Sequence, residues 1–128
     1  MKTLADFVAP GLRILSVGLN PSLPSVEAGF PFANPRNRFW RALNASELLS
    51  APVEPGIDAM HQLLQRERMG FTDVVKRPTR GAGDLRAVDY REGAPRLRTL
   101  IESIKPHWVW FHGKLAWQYY LRYADTDG

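Results

Sequence analysis

Three polar residues of this sequence lie where chemistry could be carried out. Asn20, Asp73 and His112 each lie near or just beyond the end of a short apolar segment. If these segments are neighbouring parallel strands, their carboxyl ends share one rim, where open α/β sheets bind ligands. A carboxylate at such a rim can act as a base, whereas a carboxamide can orient a bound group by hydrogen bonding.

The segments that must position these residues have the patterns of short strands and helices. Strands are predicted over 12–18, 70–75 and 107–113, and helices over 38–43, 59–66, 92–105 and 114–123. Their alternation predicts a three-layer α/β/α fold with a small, mainly parallel central sheet, and one domain over residues 1–128. The four prolines within 19–37 predict an irregular loop there. Asp58 is the predicted N-cap of the second helix.

The aromatic residues and the last strand predict where the fold is buried and where it is open. Five aromatic side chains are expected in the core rather than against a ligand: Phe39, Trp40, Trp108, Trp110 and Phe111. Only one helix follows the third strand, so this strand is expected at an exposed sheet edge. We expect that edge to drive self-association.

The composition excludes several classes of protein. The chain has 128 residues, a net charge of +4 and no cysteine, which excludes disulfides and thiolate metal sites and fits a reducing cytoplasm. His107 and His112 have no spaced partner that would complete a metal site, so neither a metal nor a cofactor is expected. No apolar run approaches the ~18 residues that cross a bilayer. A basic surface attracts polyanions, of which nucleic acid is the commonest.

Several blocks of the sequence resemble one known family. ILSVGLNPS (14–22), GFPFANP (29–35) and NRFW (37–40) closely resemble the mismatch-specific uracil/thymine-DNA glycosylases of the uracil-DNA glycosylase superfamily. The likeness continues through 70–73, 77–79 and 111–114 and spans roughly residues 9–122. It implies a DNA-repair enzyme that hydrolyses the glycosidic bond of uracil or another damaged pyrimidine, mispaired in duplex DNA, after flipping the base out. It also implies a cytoplasmic, nucleoid-associated protein of bacterial type.

The resemblance assigns roles to residues of the first loop. Asn20 matches the family's catalytic asparagine, whose amide oxygen orients the attacking water. Phe32 matches the phenylalanine that stacks on the base. The rest of the pocket, including backbone groups that hydrogen-bond the base edge, would be formed by Gly18, Leu19, Pro21 and Ser22. Ser22 replaces the glycine usual in the family and is expected to narrow the pocket, which would favour uracil over thymine.

Charged residues beyond the first loop have two interpretations each. Asp73 lies at a position where the family varies, and it could act as a base on water or stabilise the sugar cation. Alternatively, it only caps nearby amides or pairs with Lys76 or Arg77. Four cations are candidates for DNA phosphate contacts and otherwise belong to the solvated surface: Lys76, Arg77, Arg80 and Lys114.

One motif of the family has no counterpart in the sequence. It is an Asn-Pro-Ser-Gly-like loop after a fourth strand, which wedges into the duplex and fills the place of the flipped base. The family's last strand and helix have no counterpart either, so the chain is expected to be C-terminally incomplete relative to the family. Two alternatives follow. One is a truncated homologue, weakly active or inactive, that binds nucleic acid or a pyrimidine without turnover, or a fragment that a partner chain completes. The other is a small-nucleotide-binding α/β domain unrelated to repair.

Overall fold

A parallel sheet with strand order β2-β1-β3 forms the centre of the structure, a computed structural model that describes residues 2–124. The strands are β1 (Ile14–Gly18), β2 (Met69–Asp73) and β3 (Trp108–Phe111). The helices are α1 (Leu23–Ala28), α2 (Phe39–Ala45), α3 (Ile57–Gln62), α4 (Ala87–Ile104) and α5 (Lys114–Ala124). A π-helical turn, Leu63–Glu67, continues α3, and a 3-10 turn, Ala82–Asp84, precedes α4. Strand β1 pairs in parallel with both of its neighbours, as predicted.

Two hydrophobic cores lie on opposite faces of β1, because successive side chains of a strand point to opposite sides. Leu15 and Val17 pack on one face in a cluster with Leu97 of α4. Ile14 packs on the other face in a cluster with Phe39 of α2 and Met60 of α3. The predicted three-layer arrangement is therefore confirmed.

Helix α1 contradicts the prediction that residues 19–37 are irregular throughout. Ser22 is its N-cap, and the Ser22 Oγ accepts a hydrogen bond of 3.2 Å from the Ser25 backbone N–H. Pro24 lies in the first turn, where a missing N–H leaves no helical bond unmade. Gly29 ends the helix with a φ of 87°, a conformation that favours glycine. A proline-rich segment can therefore hold a helix when its prolines fall outside the helix interior.

The starts of two other helices also differ from the predictions. Helix α3 begins at Ile57, so Asp58 lies in the first turn and is not the N-cap. Its charge still lies near the positive end of the helix dipole. Helix α4 begins at Ala87 rather than at residue 92, because the Asp89 carboxylate accepts a 2.8 Å hydrogen bond from the Arg86 N–H and caps an earlier turn. No helix within residues 2–124 is long and apolar enough to cross a membrane.

Strand β3 forms one edge of the sheet and leaves its tryptophans open to solvent. Trp108 is 70% exposed and Trp110 is 37% exposed, so the prediction that they belong to the core is wrong. They are exposed because β3 pairs only with β1 among the residues described. Phe39 and Trp40 are buried, as predicted. The predicted exposed edge is thus present.

We predict that this edge makes the protein self-associate, because an open strand with exposed apolar side chains is a template for pairing. Light scattering of the wild type is expected to give a mass above that of the monomer. Trp108→Lys, which places a charge on the edge, should restore the monomer mass, whereas Ile57→Lys, an exposed apolar position on α3, should not. A monodisperse wild-type monomer would contradict the prediction.

Candidate active site

The carboxyl ends of the three strands meet at one rim. Gly18 lies opposite Asp73 in the register of β1 and β2. On the other side, the His112 N–H donates a 2.8 Å hydrogen bond to the Val17 carbonyl, which continues β3 alongside β1. Gly18 also makes room for the carboxylate, since a Cβ there would lie 2.7 Å from Asp73 Oδ1. The order of elements along the chain predicts this meeting of strand ends.

A cavity of about 200 Å³ opens at this rim. It brings together all seven residues for which the sequence predicts catalysis or base binding: Gly18, Leu19, Asn20, Pro21, Ser22, Phe32 and Asp73. Six further residues line it: Ser25, Pro31, Asn37, Phe71, Thr72 and His112. A buried apolar cavity of about 150 Å³ accepts benzene. The size of this cavity therefore suits a single substituted six-membered ring.

The Asn20 side chain is held by the protein through its amide nitrogen. Its Nδ2 donates hydrogen bonds of 2.9 Å to the Arg77 carbonyl oxygen and to Thr79 Oγ1. Thr79 is itself fixed, because its hydroxyl donates to the Gly81 carbonyl at 2.8 Å. Both N–H groups of the Asn20 amide are thereby used, and its Oδ1 has no donor within the described residues. An acceptor oxygen is thus presented in a fixed orientation.

Asp73 is a buried carboxylate with an unusual proton affinity. Its residue surface is 7% exposed, and burial raises its pKa to about 6, against the lowering effect of Lys76 and with a smaller raising effect from Asp6. Lys76 Nζ lies 3.7 Å from Asp73 Oδ2, while Arg77 pairs with Asp89 instead. Of the two predicted pairings, only the one with Lys76 is present. A carboxylate of this kind can exchange a proton near neutral pH.

The Phe32 ring lines the cavity from a pinned loop. It stacks on Phe39 with a 4.3 Å distance between ring centroids. On one side of it, the Pro31 carbonyl accepts a 3.1 Å hydrogen bond from Trp40 Nε1. On the other side, the Ala33 N–H donates a 3.1 Å hydrogen bond to Ser25 Oγ. Phe32 itself has a φ of 57°, a left-handed conformation that non-glycine residues adopt at a cost of about 1–3 kcal/mol and that clusters at functional sites.

Comparison with known proteins decides the family of this site. The sequence matches the model of the Uracil DNA glycosylase superfamily over residues 5–127. The chain belongs to this superfamily. Its fold is also similar to a solution NMR structure from Methanosarcina acetivorans, whose own description as a uracil DNA glycosylase is provisional. That match has a TM-score of 0.68 at 20% identity and covers 92% of this chain and 73% of the other. Superfamily membership supports a glycosylase-like function for the chain.

His112 lines the cavity, and sequence reasoning predicts its place at the rim but no role for it in catalysis or base binding. Its ring lies 5.2 Å from the Phe32 ring and 4.2 Å from the Trp110 ring, measured between centroids. Burial lowers the pKa of His112 to about 4, so the ring is neutral at pH 7. Its Nε2 is buried without a partner in the described part of the chain. Its place at a strand end is the available signal, as it is for Asp73.

The four cations predicted to bind phosphate differ in whether they are paired with a carboxylate of the protein or exposed to solvent. Lys76 is mostly buried and donates a 2.8 Å hydrogen bond to Asp6 Oδ1. Arg77 donates two hydrogen bonds of 2.9 Å to the carboxylate of Asp89. Arg80 and Lys114 are exposed, and each lies within two residues of a residue that lines or braces the site. Because Lys76 and Arg77 are paired within the protein, they are less available to bind DNA phosphates than Arg80 and Lys114 are.

The site shows no arrangement for a metal ion. Within residues 2–124, no three His, Cys, Asp or Glu side chains lie close enough together to hold one. The side chains that line the cavity offer a fixed amide oxygen, a carboxylate that can take a proton, a neutral imidazole and an aromatic ring.

Proposed function

We propose that the chain is a monofunctional DNA glycosylase that hydrolyses the N-glycosidic bond of uracil mispaired in duplex DNA. The observation that carries the proposal is the fixed amide of Asn20, a residue that lines a ring-sized cavity together with Asp73. Membership of the superfamily supports the same reaction.

The cavity has the groups that a flipped pyrimidine needs. A base inside a duplex must be turned out of the stack before its glycosidic bond can be reached. Phe32 offers a flat, apolar ring, and in the proposal backbone N–H groups of the loop over residues 19–23 would bind the edge of the base. Fixed N–H groups would stabilise the negative charge that develops on the pyrimidine oxygens, in the manner of an oxyanion hole.

In the proposed reaction, the bond between N1 of the base and C1′ of the sugar breaks, and its electron pair leaves with the base. The sugar becomes cationic, and the oxygen of a water molecule forms a new bond to C1′. Asn20 Oδ1 accepts a hydrogen bond from this water and orients it, and the ionised Asp73 carboxylate takes its proton. The leaving base takes a proton from solvent.

Exposed cations near the rim would bind the DNA backbone. We propose Arg80 and Lys114 for phosphate contacts, because both are exposed and follow residues of the site. Arg36 and Arg38 are two further exposed cations, and both flank Asn37, which lines the cavity. Such contacts position a duplex without reading its sequence.

A glycosylase and a protein that only binds DNA give different products on the same oligonucleotide. The test is a duplex that contains one G·U mispair, incubated with the protein and then treated with alkali. Hydrolysis leaves an abasic site that alkali converts into a strand break. A shift in the mobility of the duplex with no alkali-labile site would favour the alternative function, binding without turnover.

We predict that uracil is released faster than thymine because of Ser22. This side chain lines the cavity, and its hydroxyl is held by hydrogen bonds with the Ser25 N–H and Ser25 Oγ, so it cannot easily move aside for the thymine methyl group. One methyl group in a pocket is worth about 10–200-fold in rate. The rate on G·U should exceed that on G·T by at least about 10-fold.

The matched variant for this prediction is Ser22→Gly. Glycine is tolerated at an N-cap with a loss of only a few tenths of a kcal/mol, so the helix should survive while the G·U to G·T ratio falls. Ser46→Gly, at the C-terminal end of α2, is the control and should leave the ratio unchanged. Equal wild-type rates on the two mispairs would disprove the role of Ser22.

A further inference from the structure

Asp6 does not line the cavity and has no part in the reaction described above, but it pairs with Lys76 and Arg96 beside Asp73. Its segment reaches the sheet through an antiparallel bridge between Phe7 and Phe71, with backbone hydrogen bonds of 2.9 and 2.8 Å. We propose that Asp6 is a positioning residue, which keeps the Asp73 carboxylate available as a base by holding Lys76 away from it. The inference deepens the proposed function and rests on the part that Asp73 has in it.

The Asp6 carboxylate collects three donors. Oδ1 accepts a 2.7 Å hydrogen bond from Thr72 Oγ1 and a 2.8 Å hydrogen bond from Lys76 Nζ. Oδ2 accepts a 3.1 Å hydrogen bond from Arg96 Nη1. Burial raises the pKa of Asp6, but the charge and hydrogen bond of Lys76, the hydrogen bond of Thr72 and the charge of Arg96 hold this pKa below the ordinary value. Asp6 is therefore ionised at neutral pH.

Both cations near Asp73 lie closer to the Asp6 carboxylate than to the Asp73 carboxylate. Lys76 Nζ lies 2.8 Å from Asp6 Oδ1 but 3.7 Å from Asp73 Oδ2. Arg96 Nη2 donates a 2.7 Å hydrogen bond to the backbone carbonyl of Asp73, not to its side chain. Charge-assisted hydrogen bonds are strongest at about 2.7–2.9 Å. The Lys76 ammonium group thus has its strong bond with Asp6.

The remaining groups around Asp73 do not alter this balance. His112, on the other side of Gly18, is neutral at pH 7 because burial lowers its pKa to about 4. Asn20, in the same cavity, is an uncharged amide. A base works best when its pKa lies near the operating pH. A tight pair with Lys76 would lower the proton affinity of Asp73 and tie up the oxygen that must reach the water.

Two substitutions should move the pKa of Asp73 in opposite directions. Asp6→Asn removes a negative charge and frees Lys76 to pair with Asp73, so the pKa should fall. Lys76→Gln removes the nearest positive charge, so the pKa of Asp73 should rise. A charge at this distance moves the pKa of a carboxyl group by about one unit or more. The control is Glu67→Gln, which alters a buried carboxylate that pairs with Arg66 outside the cavity. This substitution should leave the pKa of Asp73 unchanged.

Two readouts separate this inference from the proposed function. The first is the titration of the Asp73 carboxyl carbon by NMR in aspartate-labelled full-length protein, which needs no activity. The second is the pH profile of uracil release. A lower pKa of Asp73 in Asp6→Asn and a higher one in Lys76→Gln, both measured by NMR, support the inference even if no variant releases uracil. A lack of uracil release would count against the proposed function alone. An unchanged pKa of Asp73 in a folded Asp6→Asn variant overturns the inference. If Asp6→Asn does not fold, a lower pKa of Asp73 in Lys76→Gln overturns it.

Discussion

Asn20→Ala is expected to reduce the single-turnover rate of uracil release from a G·U duplex by about 100-fold or more. The substitution removes the oxygen that orients the water, together with the two hydrogen bonds that the amide nitrogen donates to Arg77 and Thr79. Loss of correct orientation alone can reduce a rate by about 100-fold, even when the reacting groups are still present. The rate under single-turnover conditions is the proper measurement, because release of an abasic product can limit the steady state.

A matched control separates this effect from a loss of stability. Asn44 is a second asparagine whose amide is held at both ends by one backbone residue, through hydrogen bonds of 2.9 and 2.8 Å with Val53. It lies in α2 and does not line the cavity. Asn44→Ala should cost about 1–3 kcal/mol of stability, because it leaves buried backbone groups unpaired, yet it should retain the wild-type rate below its melting temperature. Equal rates for wild type and Asn20→Ala would remove Asn20 from the mechanism.

Asp73→Asn is expected to abolish the pH dependence of the reaction between pH 5 and 7. The pKa of Asp73 is raised to about 6, and the ionised form is the base, so the wild-type rate should rise with pH through about 6 and then level off. The asparagine variant should be slower by about 10²–10⁴-fold at pH 7.5, the usual worth of acid–base catalysis, and should show no step. Glu67→Gln should retain the wild-type rate and its rise with pH. An unchanged rate for Asp73→Asn at pH 7.5 would dismiss the catalytic role.

The same substitution should stabilise the fold, or at least leave its stability unchanged, at neutral pH. The pKa of Asp73 is higher in the folded protein than the ordinary value of 3.8, so the folded state binds more protons between about pH 4 and 6. Stability contributed by this group therefore falls as pH rises through that window and stays low above it. A melting temperature of Asp73→Asn at or above that of the wild type at pH 7.5 would show a stability cost that the active site bears.

The rim of the site could be predicted from the sequence, because it depends only on where the strands end and on their parallel direction. Buried parallel strands look like short apolar runs, and residues that follow them meet at one edge by topology alone. Strand order and chain direction are therefore enough to predict that Asn20 lies near Asp73. They predict the same rim for His112, but its nearness to the Phe32 ring depends on how two loops fold over each other.

Contacts between distant segments could not be predicted in this way. Asn20 is held by Arg77 and Thr79, more than fifty residues further along the chain, through a loop that the sequence describes only as basic and glycine-containing. Asp6 reaches Lys76 through a bridge between isolated residues of two segments, which leaves no periodic pattern. The prediction for Trp108 is wrong because apolar composition indicates burial, whereas an edge strand without a neighbour exposes the same residues.

The most direct test of the proposed activity is to count the products of one reaction. Wild-type protein is incubated with a duplex that contains a single G·U mispair, free uracil is quantified by mass spectrometry, and strand breaks are measured before and after alkali. Hydrolysis by a monofunctional glycosylase predicts equal amounts of free uracil and alkali-labile sites, with the strand intact before alkali. Binding of the duplex with neither product would contradict the assignment of this cavity as a glycosylase active site.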